Sequence, residues 1–275
     1  MKERLLTAAI GIPLFFVVLF FFETPVYNTA MALVSLLAVF EVLHSTHYVE
    51  DPVLLIVCSI FAALVPFRNM LFFRNMGLVP VFLWVGILFA ILLIKHEKIR
   101  FEQIAVAFMV TLVFPFAIST LVFLRDQFGL YQGLYYTMLI FGCSWGADAG
   151  AYFVGRFLGR RKLAPKISPN KTVEGFFGGT LIGVGFAALI TIGYYYIMQA
   201  LGTTVSVNYI ALVVISLLAS LLSVFGDLSA SIIKRQSSIK DFGHIFPGHG
   251  GVVDRFDSVF VVAPFFYAAL QFVTI

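Results

Sequence analysis

Apolar residues run along this chain in long blocks bounded by charges, and the polar residues gather between the blocks. A helix needs about 20 mostly apolar residues to cross the hydrocarbon of a bilayer. By that measure the pattern predicts nine spans, at residues 5–22, 27–43, 52–67, 76–94, 103–124, 134–158, 175–200, 209–228 and 257–274. The third is short, which suits a tilted or partly re-entrant helix. The expected fold class is therefore all-α, a polytopic integral membrane protein. No extramembrane stretch is long enough for a soluble domain, so function has to sit in the spans and their loops. The first span follows Met1-Lys2-Glu3-Arg4, but Phe20-Phe21-Phe22-Glu23-Thr24-Pro25 offers no small-residue cleavage site, so it reads as a retained helix and not a signal peptide.

Composition agrees with this pattern: 61% of residues are hydrophobic and 12% charged, and the mean hydropathy is +1.00. Charge then orients the spans. With a cytoplasmic N-terminus and nine alternating crossings, every Lys and Arg of the 18 except Arg68, Arg74 and Arg125 falls at an inside end. The expected topology is N-in, C-out, and the formal +4 is a positive cytoplasmic face suited to anionic headgroups and anionic soluble substrates. Cys58 and Cys143 both lie inside predicted spans, where a structural disulfide would be unusual.

The first half, residues 1–128 with spans one to five, is sparse in intramembrane polar groups. Glu41, His44 and His47 sit at i, i+3 and i+6 near the end of span two, and these positions diverge on a helix. Hydrated interfacial side chains explain them better than a metal site. His96 reads as a solvated loop residue.

Residues 129–275, with spans six to nine, carry the chemistry. Ser144, Asp148 and Tyr152 recur every four residues on one face of span six, and Arg156 continues the stripe. A carboxylate inside a span costs about 2.5–3.5 kcal/mol on insertion scales, which marks Asp148 as functional, or else as half of a structural pair with Arg156 or a neighbouring helix. The basic loop after it predicts a turn at Ser168-Pro169-Asn170, with Ser168 or Thr172 capping the next helix. Lys171, Thr172 and Glu174 gather a cation, a hydroxyl and an acid at the mouth of span seven. Gly175, Gly179 and Gly183 form a small-residue stripe for close helix packing. Gly183-x-Gly185-x-x-Ala188 mimics a dinucleotide fingerprint, but no strand precedes it. On span eight Ser223, Asp227 and Ser231 share a face with Lys234 close by, and Asp254 and Asp257 begin span nine on a common face.

Residues 231–257 then concentrate what the rest of the chain lacks: Lys234, Arg235, Lys240, Asp241, Asp254, Arg255 and Asp257, with His244, His249 and a Gly248-His249-Gly250-Gly251 run. Charges and glycines between two apolar spans are costly unless they meet something polar. Cations, carboxylates and bare backbone amides together suit a metal-bound phosphate. Asp148, Asp227, Asp254 and Asp257 are candidate ligands of a hard cation such as Mg²⁺, which takes carboxylate, water and phosphate oxygens. Isolated cysteines and histidines exclude a zinc-type cluster. A flexible positive-inside loop is the alternative, weakened by the alternation of acids and bases.

Ser231-x-x-Lys234-Arg235-x4-Lys240-Asp241-x5-Pro247-x-His249-Gly250-Gly251-x-x-Asp254-Arg255-x-Asp257 closely resembles the signature of phosphatidate cytidylyltransferases, or CDP-diacylglycerol synthases. Asp148-x-x-Ala151-Tyr152-x-x-Gly155-Arg156 and Ser168-Pro169-x-Lys171-Thr172-x-Glu174-Gly175 look like further motifs of the same family. The resemblance implies that CTP and phosphatidate give CDP-diacylglycerol and pyrophosphate, with Mg²⁺ required, alone or with a second cation. It implies Asp227 and Asp254 as metal ligands, with Asp148 and Asp257 behind them. Asp227, Lys240, Asp241, His249 and Asp254 would be the catalytic set. Ser144, Asp148, Arg156, Ser168, Lys171, Thr172, Glu174, Lys234, Arg235, Gly250, Gly251 and Arg255 would bind substrate, Lys171, Lys240 and Arg255 on the triphosphate, and His249 with the two glycines on phosphate oxygens. A homodimer, no nucleic acid partner and, for a bacterial chain, the inner membrane with a cytoplasmic-face site complete the expectation. Two other readings remain, a CTP-dependent lipid-alcohol kinase and a cation-coupled transporter. The second is disfavoured by the one-sided charge and the lack of a visible inverted repeat.

Overall fold

The computed structural model describes residues 2–273 and Ile275. Thr274, the last residue of the ninth expected span, lies outside the described residues, as does Met1. The helices are α1 (Lys2–Phe20), α2 (Pro25–Ser45), α3 (Pro52–Leu64), α4 (Leu71–Arg74), α5 (Val79–Ile94), α6 (Phe101–Leu158), α7 (Val173–Ala200), α8 (Tyr209–Gln236), α9 (Val253–Phe256) and α10 (Val259–Ala269). A two-stranded antiparallel ribbon, β1 (Lys162–Ala164) and β2 (Ser168–Thr172), joins α6 to α7. Among the described residues α2, α6, α7 and α8 are long and apolar enough to cross a membrane, and Ala9–Phe20, Pro52–Phe67, Val79–Ile94 and Val259–Ala269 are shorter apolar helices. The architecture is that of an all-α membrane protein.

α6 merges two expected spans. Its 58 residues would measure about 87 Å as one straight helix, nearly three times the roughly 30 Å hydrocarbon core. The chain breaks at Gly129 (φ 73°, ψ −166°), in the left-handed region that glycine enters without a Cβ penalty. The sequence pattern left a loop around this point; helical structure instead continues to either side of the single glycine.

Contacts divide the chain into two compact units, Met1–Asp126 with Ile233–Arg255, and Gln127–Ile232 with Phe256–Ile275. Residues 233–255, which lie within the second half of the sequence, thus pack with the first unit. In that unit α2 packs on α3, and Trp84 of α5 stacks between Phe61 of α3 and Phe108 of α6, with centroid distances of 4.4 and 5.6 Å. Asp51 caps α3 by accepting from Val53 and Leu54 N–H at 3.0 and 3.1 Å, and pairs with Lys95 at 2.6 Å. Desolvation works against charge on Asp51, but the Lys95 ammonium and the two helix N–H groups outweigh it and hold its carboxyl below the usual value. Arg125 donates to Asn28 Oδ1 at 2.7 Å and pairs with Asp126 at 2.6 Å. Cys58 is free and buried.

In the second unit the glycine stripe of α7 lies against residues 147–155 of α6. A Cβ on Gly175 would stand 2.7 Å from Ala151 O, and one on Gly179 2.5 Å from Ala147 O. Such approach is how helices associate where lipid gives no hydrophobic drive. Tyr135 bonds Thr191 at 2.8 Å and stacks on Tyr194 at 4.2 Å. A Cβ on Gly226 of α8 would meet Asp257 O at 2.6 Å and Ser258 Cα at 3.1 Å, so α8 runs directly beside the segment entering α10. Cys143 is free and buried.

Candidate functional site

The ribbon after α6 is built to present one lysine. Lys162 pairs with Thr172 and Ala164 with Ser168, and Ile167 N donates to Ala164 O at 3.1 Å. The turn therefore lies at residues 165–167, where Pro165 presets its own φ, and not at Ser168-Pro169-Asn170 as the composition suggested. Thr172 supplies the helix cap: its Oγ1 accepts from Gly175 N at 3.1 Å. Glu174 Oε2 accepts from Arg160 N at 3.0 Å and Arg161 N at 3.2 Å. Thr172 and Glu174, two expected substrate contacts, thus lock the ribbon to the start of α7, directly after Lys171.

Lys171 reaches α8 and pairs through Nζ with Asp227 Oδ2. One turn on, Ser231 Oγ donates to Asp227 Oδ1 at 3.3 Å, as the i, i+4 spacing predicts. Asp148 of α6 accepts from Ser223 Oγ at 3.4 Å and from Ser258 Oγ at 3.2 Å. It also lies within electrostatic reach of both Asp227 and Lys171. Four segments of the second unit therefore converge: α6 with Asp148, β2 with Lys171, α8 with Ser223, Asp227 and Ser231, and the entry to α10 with Ser258. Ser144, a turn before Asp148, is buried, and among the described residues its Oγ has no hydrogen-bond partner. The alternative pairing of Asp148 with Arg156 does not form; exposed Arg156 donates to Tyr152 Oη at 2.8 Å.

The donor set suits a hard divalent cation. Two carboxylates and one ammonium leave an excess negative charge, and both acids are held only by hydroxyls or a lysine, which leaves lone pairs to spare. Among the described residues no group of three or more His, Cys, Asp and Glu side chains is arranged to hold a metal ion. Mg²⁺ is commonly carried by one or two carboxylates together with water and substrate phosphates, so Asp148 and Asp227 fit that pattern.

Within the first unit Asp254 has a different occupation. Its Oδ1 pairs with Lys234 Nζ at 2.7 Å, and its Oδ2 accepts from Phe242 N at 2.8 Å and Gly251 N at 3.0 Å. Only 7% exposed, this carboxylate has both oxygens engaged by the protein, with three donors for about four acceptor sites. The expectation that Gly251 N–H belongs to an open anion nest is corrected accordingly: that amide is spent on Asp254. Gly248 (φ 71°) and Gly250 (φ 81°) are left-handed and close a tight turn in which Phe246 N donates to Gly250 O at 2.9 Å and His249 N to Phe246 O at 2.8 Å. His249 Nδ1 is buried without a hydrogen-bond partner among the described residues.

Glu41 is the residue that sequence reasoning missed. Expected as a hydrated interfacial side chain, it is 3% exposed and accepts from Val252 N and Val253 N, each at 2.9 Å. The available signal was an acid inside an apolar block, which is costly unless it is partnered. His44 and His47 of the same triplet are exposed, and His44 stacks on Phe40.

The remaining candidates are less organised. Lys240 and Arg235 are exposed, the latter within 3.5 Å of Ile239 O. Asp241 and Ser168 are half-buried, and Arg255 is exposed. Asp257 accepts from Ser258 N at 2.8 Å.

Comparison with known proteins bears on this arrangement. A phosphatidate cytidylyltransferase of Bacillus subtilis (strain 168) is 46% identical over 145 residues, covering 53% of this chain and 49% of the relative. One from Haemophilus influenzae is 41% identical over 137 residues, 50% of this chain and 46% of the relative. One from Staphylococcus epidermidis is 38% identical over 168 residues, 61% of this chain and 60% of the relative. The matched region spans about half the length of the first two relatives. The model of the cytidylyltransferase family matches residues 2–273, nearly the whole sequence, and the chain belongs to that family.

Proposed function

We propose that this protein is a phosphatidate cytidylyltransferase, joining CTP and phosphatidate to give CDP-diacylglycerol and pyrophosphate at a membrane surface. The observation that carries the reading is the convergence of Lys171, Asp227 and Asp148 from three chain segments, in a chain whose relatives bear that name.

The obstacle to the reaction is repulsion between two polyanions. A phosphate monoester carries about −1.5 to −2 near neutrality, and the triphosphate adds more. Asp148 and Asp227 would hold Mg²⁺, which when bound supplies charge neutralisation and polarises the phosphoryl oxygens under attack. Lys171 stands where its ammonium can leave Asp227 and follow the β- and γ-phosphates as pyrophosphate charge develops. Ser223 and Ser258 fix the Asp148 carboxylate by donating to it. The lipid phosphate oxygen forms the new bond to the α-phosphorus while the bond to the β-phosphate bridge oxygen breaks, and pyrophosphate departs in line. That oxygen is already ionised at neutral pH, so no strong general base is required. Asp254 has a structural part in this scheme, because a metal contact there would take apart its pair with Lys234.

The topology proposed with this function has nine spans, the N-terminal end of the first and the 159–172 and 237–252 loops cytoplasmic, and the last span ending outside. In a bacterial cell the membrane would be the inner one, and a homodimer the functional assembly. Transfer of label from [α-³²P]CTP into organic-extractable lipid by the purified protein tests the reading. Mg²⁺-dependent labelled CDP-lipid with release of pyrophosphate is the expected result. Release of CDP with a phosphorylated lipid alcohol would replace the reading by the kinase alternative.

A further inference from the structure

We infer that Glu41, on α2, is the positioning residue that shapes the glycine loop of residues 242–253. The inference rests on the cytidylyltransferase reading only in assigning that loop a role in turnover; the clasp itself is a matter of geometry.

Among the described residues, Glu41 is the one acid of the first hundred positions that is buried, at 3% exposure. Its two oxygens divide between two successive amides, Oε1 accepting from Val252 N and Oε2 from Val253 N, both at 2.9 Å. These are the amides that open α9, the turn that carries Asp254 and Arg255. Amide donors at the start of a helix are left without intrahelical partners, and a carboxylate there is the strongest acceptor available.

Two glycines complete the clasp. A Cβ on Gly251 would land on both Glu41 oxygens, and a Cβ on Gly243 on Oε1. Gly251 has no unusual φ, so its lack of a side chain serves this contact and not the backbone conformation. Asp254 then takes the neighbouring amides, Phe242 N and Gly251 N. Four backbone donors of the loop, at residues 242, 251, 252 and 253, are thus met by two buried carboxylates. Ser45, one turn after Glu41 on α2, donates to Phe242 O, and Thr7 of α1 donates to Pro247 O at 2.9 Å. The N-terminal helices, which the family motifs do not reach, therefore hold the loop at three points, and Glu41 is the central one.

The arrangement explains why a carboxylate rather than an amide belongs at this position. Both facing groups are N–H donors. Glutamine can accept from one and must turn its own NH₂ towards the other, so Glu41→Gln loses one bond and sets donor against donor at almost unchanged volume.

The test compares wild type, Glu41→Gln, Glu41→Ala, Gly251→Ala and the Glu41→Ala/Gly251→Ala double variant, purified in detergent as full chains. Hydrogen exchange of the peptide covering 242–253 is read first, since it is independent of catalysis. Exchange at Val252 and Val253 should accelerate at least tenfold in Glu41→Gln, with a fall of only a few degrees in thermal midpoint and little change in the exchange of α3 and α5. Turnover of CTP and phosphatidate should fall on the order of 10- to 100-fold in kcat/KM per folded molecule, the size expected for one charge-assisted bond. Gly251→Ala should be severe alone and much milder in the Glu41→Ala background, where the carboxylate it would strike is gone. A uniform rise in exchange across the first unit with kcat/KM per folded molecule intact would make Glu41 a general stabilising residue and overturn the inference. Additive effects of the two Ala substitutions would do the same. If the wild type transfers no cytidylyl group while the exchange result holds, the functional reading fails and the clasp stands.

Discussion

Replacing Lys171 by methionine removes one charge at nearly constant length and leaves Asp148 and Asp227 facing each other without a cation. The Lys171 and Asp227 side chains are 21% and 24% exposed, so the pair stands between the surface class, worth about 0–1 kcal/mol, and the buried class, whose breakage costs about 3–5 kcal/mol. A loss of roughly 1–3 kcal/mol follows. For a chain of this size that shifts the apparent thermal midpoint by about 2–4 °C per kcal/mol. The loss should largely disappear in an Asp227→Asn background, where no second carboxylate remains to repel Asp148. Mg²⁺ should stabilise Lys171→Met more than wild type, because the cation no longer competes with an ammonium; occupancy at a hundred times Kd adds about 2.7 kcal/mol. The assay is a thermal-stability series in detergent, for the four corners of the Lys171/Asp227 cycle, with and without Mg²⁺. Equal destabilisation by Lys171→Met in both backgrounds, or a Mg²⁺ shift no larger than that of wild type, would refute the argument that these three charges form one site.

Three further outcomes follow from the same coordinates. Asp227→Asn should abolish CTP-dependent lipid labelling with little change in thermal midpoint, because the lost pair with Lys171 is offset by relief of the repulsion between Asp227 and Asp148; Asp254→Asn should instead lower the midpoint, since it leaves the Lys234 ammonium without its counter-charge, a change of about 3–5 kcal/mol. Gly179→Leu should cost about 1–3 kcal/mol or more through overpacking against Ala147 and Ala151, read as loss of a monodisperse peak in fluorescence-detected size exclusion. Asp51→Asn keeps a capping oxygen but removes the charge that meets the Lys95 ammonium and the start of α3, worth about 0.3–1 kcal/mol. Since the folded carboxyl is held below its ordinary value of 3.8, that contribution is present above pH 3.8 and lost as pH falls through the lower folded value. Wild type and Asp51→Asn should therefore differ in thermal midpoint at pH 7 and converge at the acid end of the range in which the protein stays soluble.

Much of the fold was legible because the membrane constrains a chain so tightly. Blocks near 20 apolar residues predicted helices, and helices stand at each of them. The Gly175, Gly179 and Gly183 stripe and the cap at Thr172 were readable for similar local reasons. Three things were not. The turn in the ribbon was placed at Ser168-Pro169-Asn170 because turn residues concentrate there, but pairing of Ser168 with Ala164 pulls that segment into a strand. The break inside α6 falls on one glycine because only the backbone reveals that helix continues to either side of it. The packing of residues 233–255 with the first helices could not be read from their position in the chain, since the partner, Glu41, lies 211 residues from Val252.

What separates the acids of this protein is the kind of donor each one meets. Asp148, Asp227, Asp254, Glu41 and Glu174 look alike in sequence, each a carboxylate in or beside an apolar block. In the fold, Glu41, Asp254 and Glu174 face backbone N–H groups. Those donors are fixed by the chain and cannot withdraw, so the carboxylates that meet them are committed to shaping loops. Asp148 and Asp227 face hydroxyls and a lysine. A hydroxyl can rotate to become an acceptor and a lysine can swing away on its flexible stem, so in the proposed reaction these two acids would be the ones able to exchange partners for a cation and a phosphate. Chemistry on an anionic substrate needs acids of both kinds: committed ones to hold amides and turns in place, and uncommitted ones to take a metal without unfolding anything. The sequence motifs include acids of both kinds, and only the hydrogen bonds tell them apart.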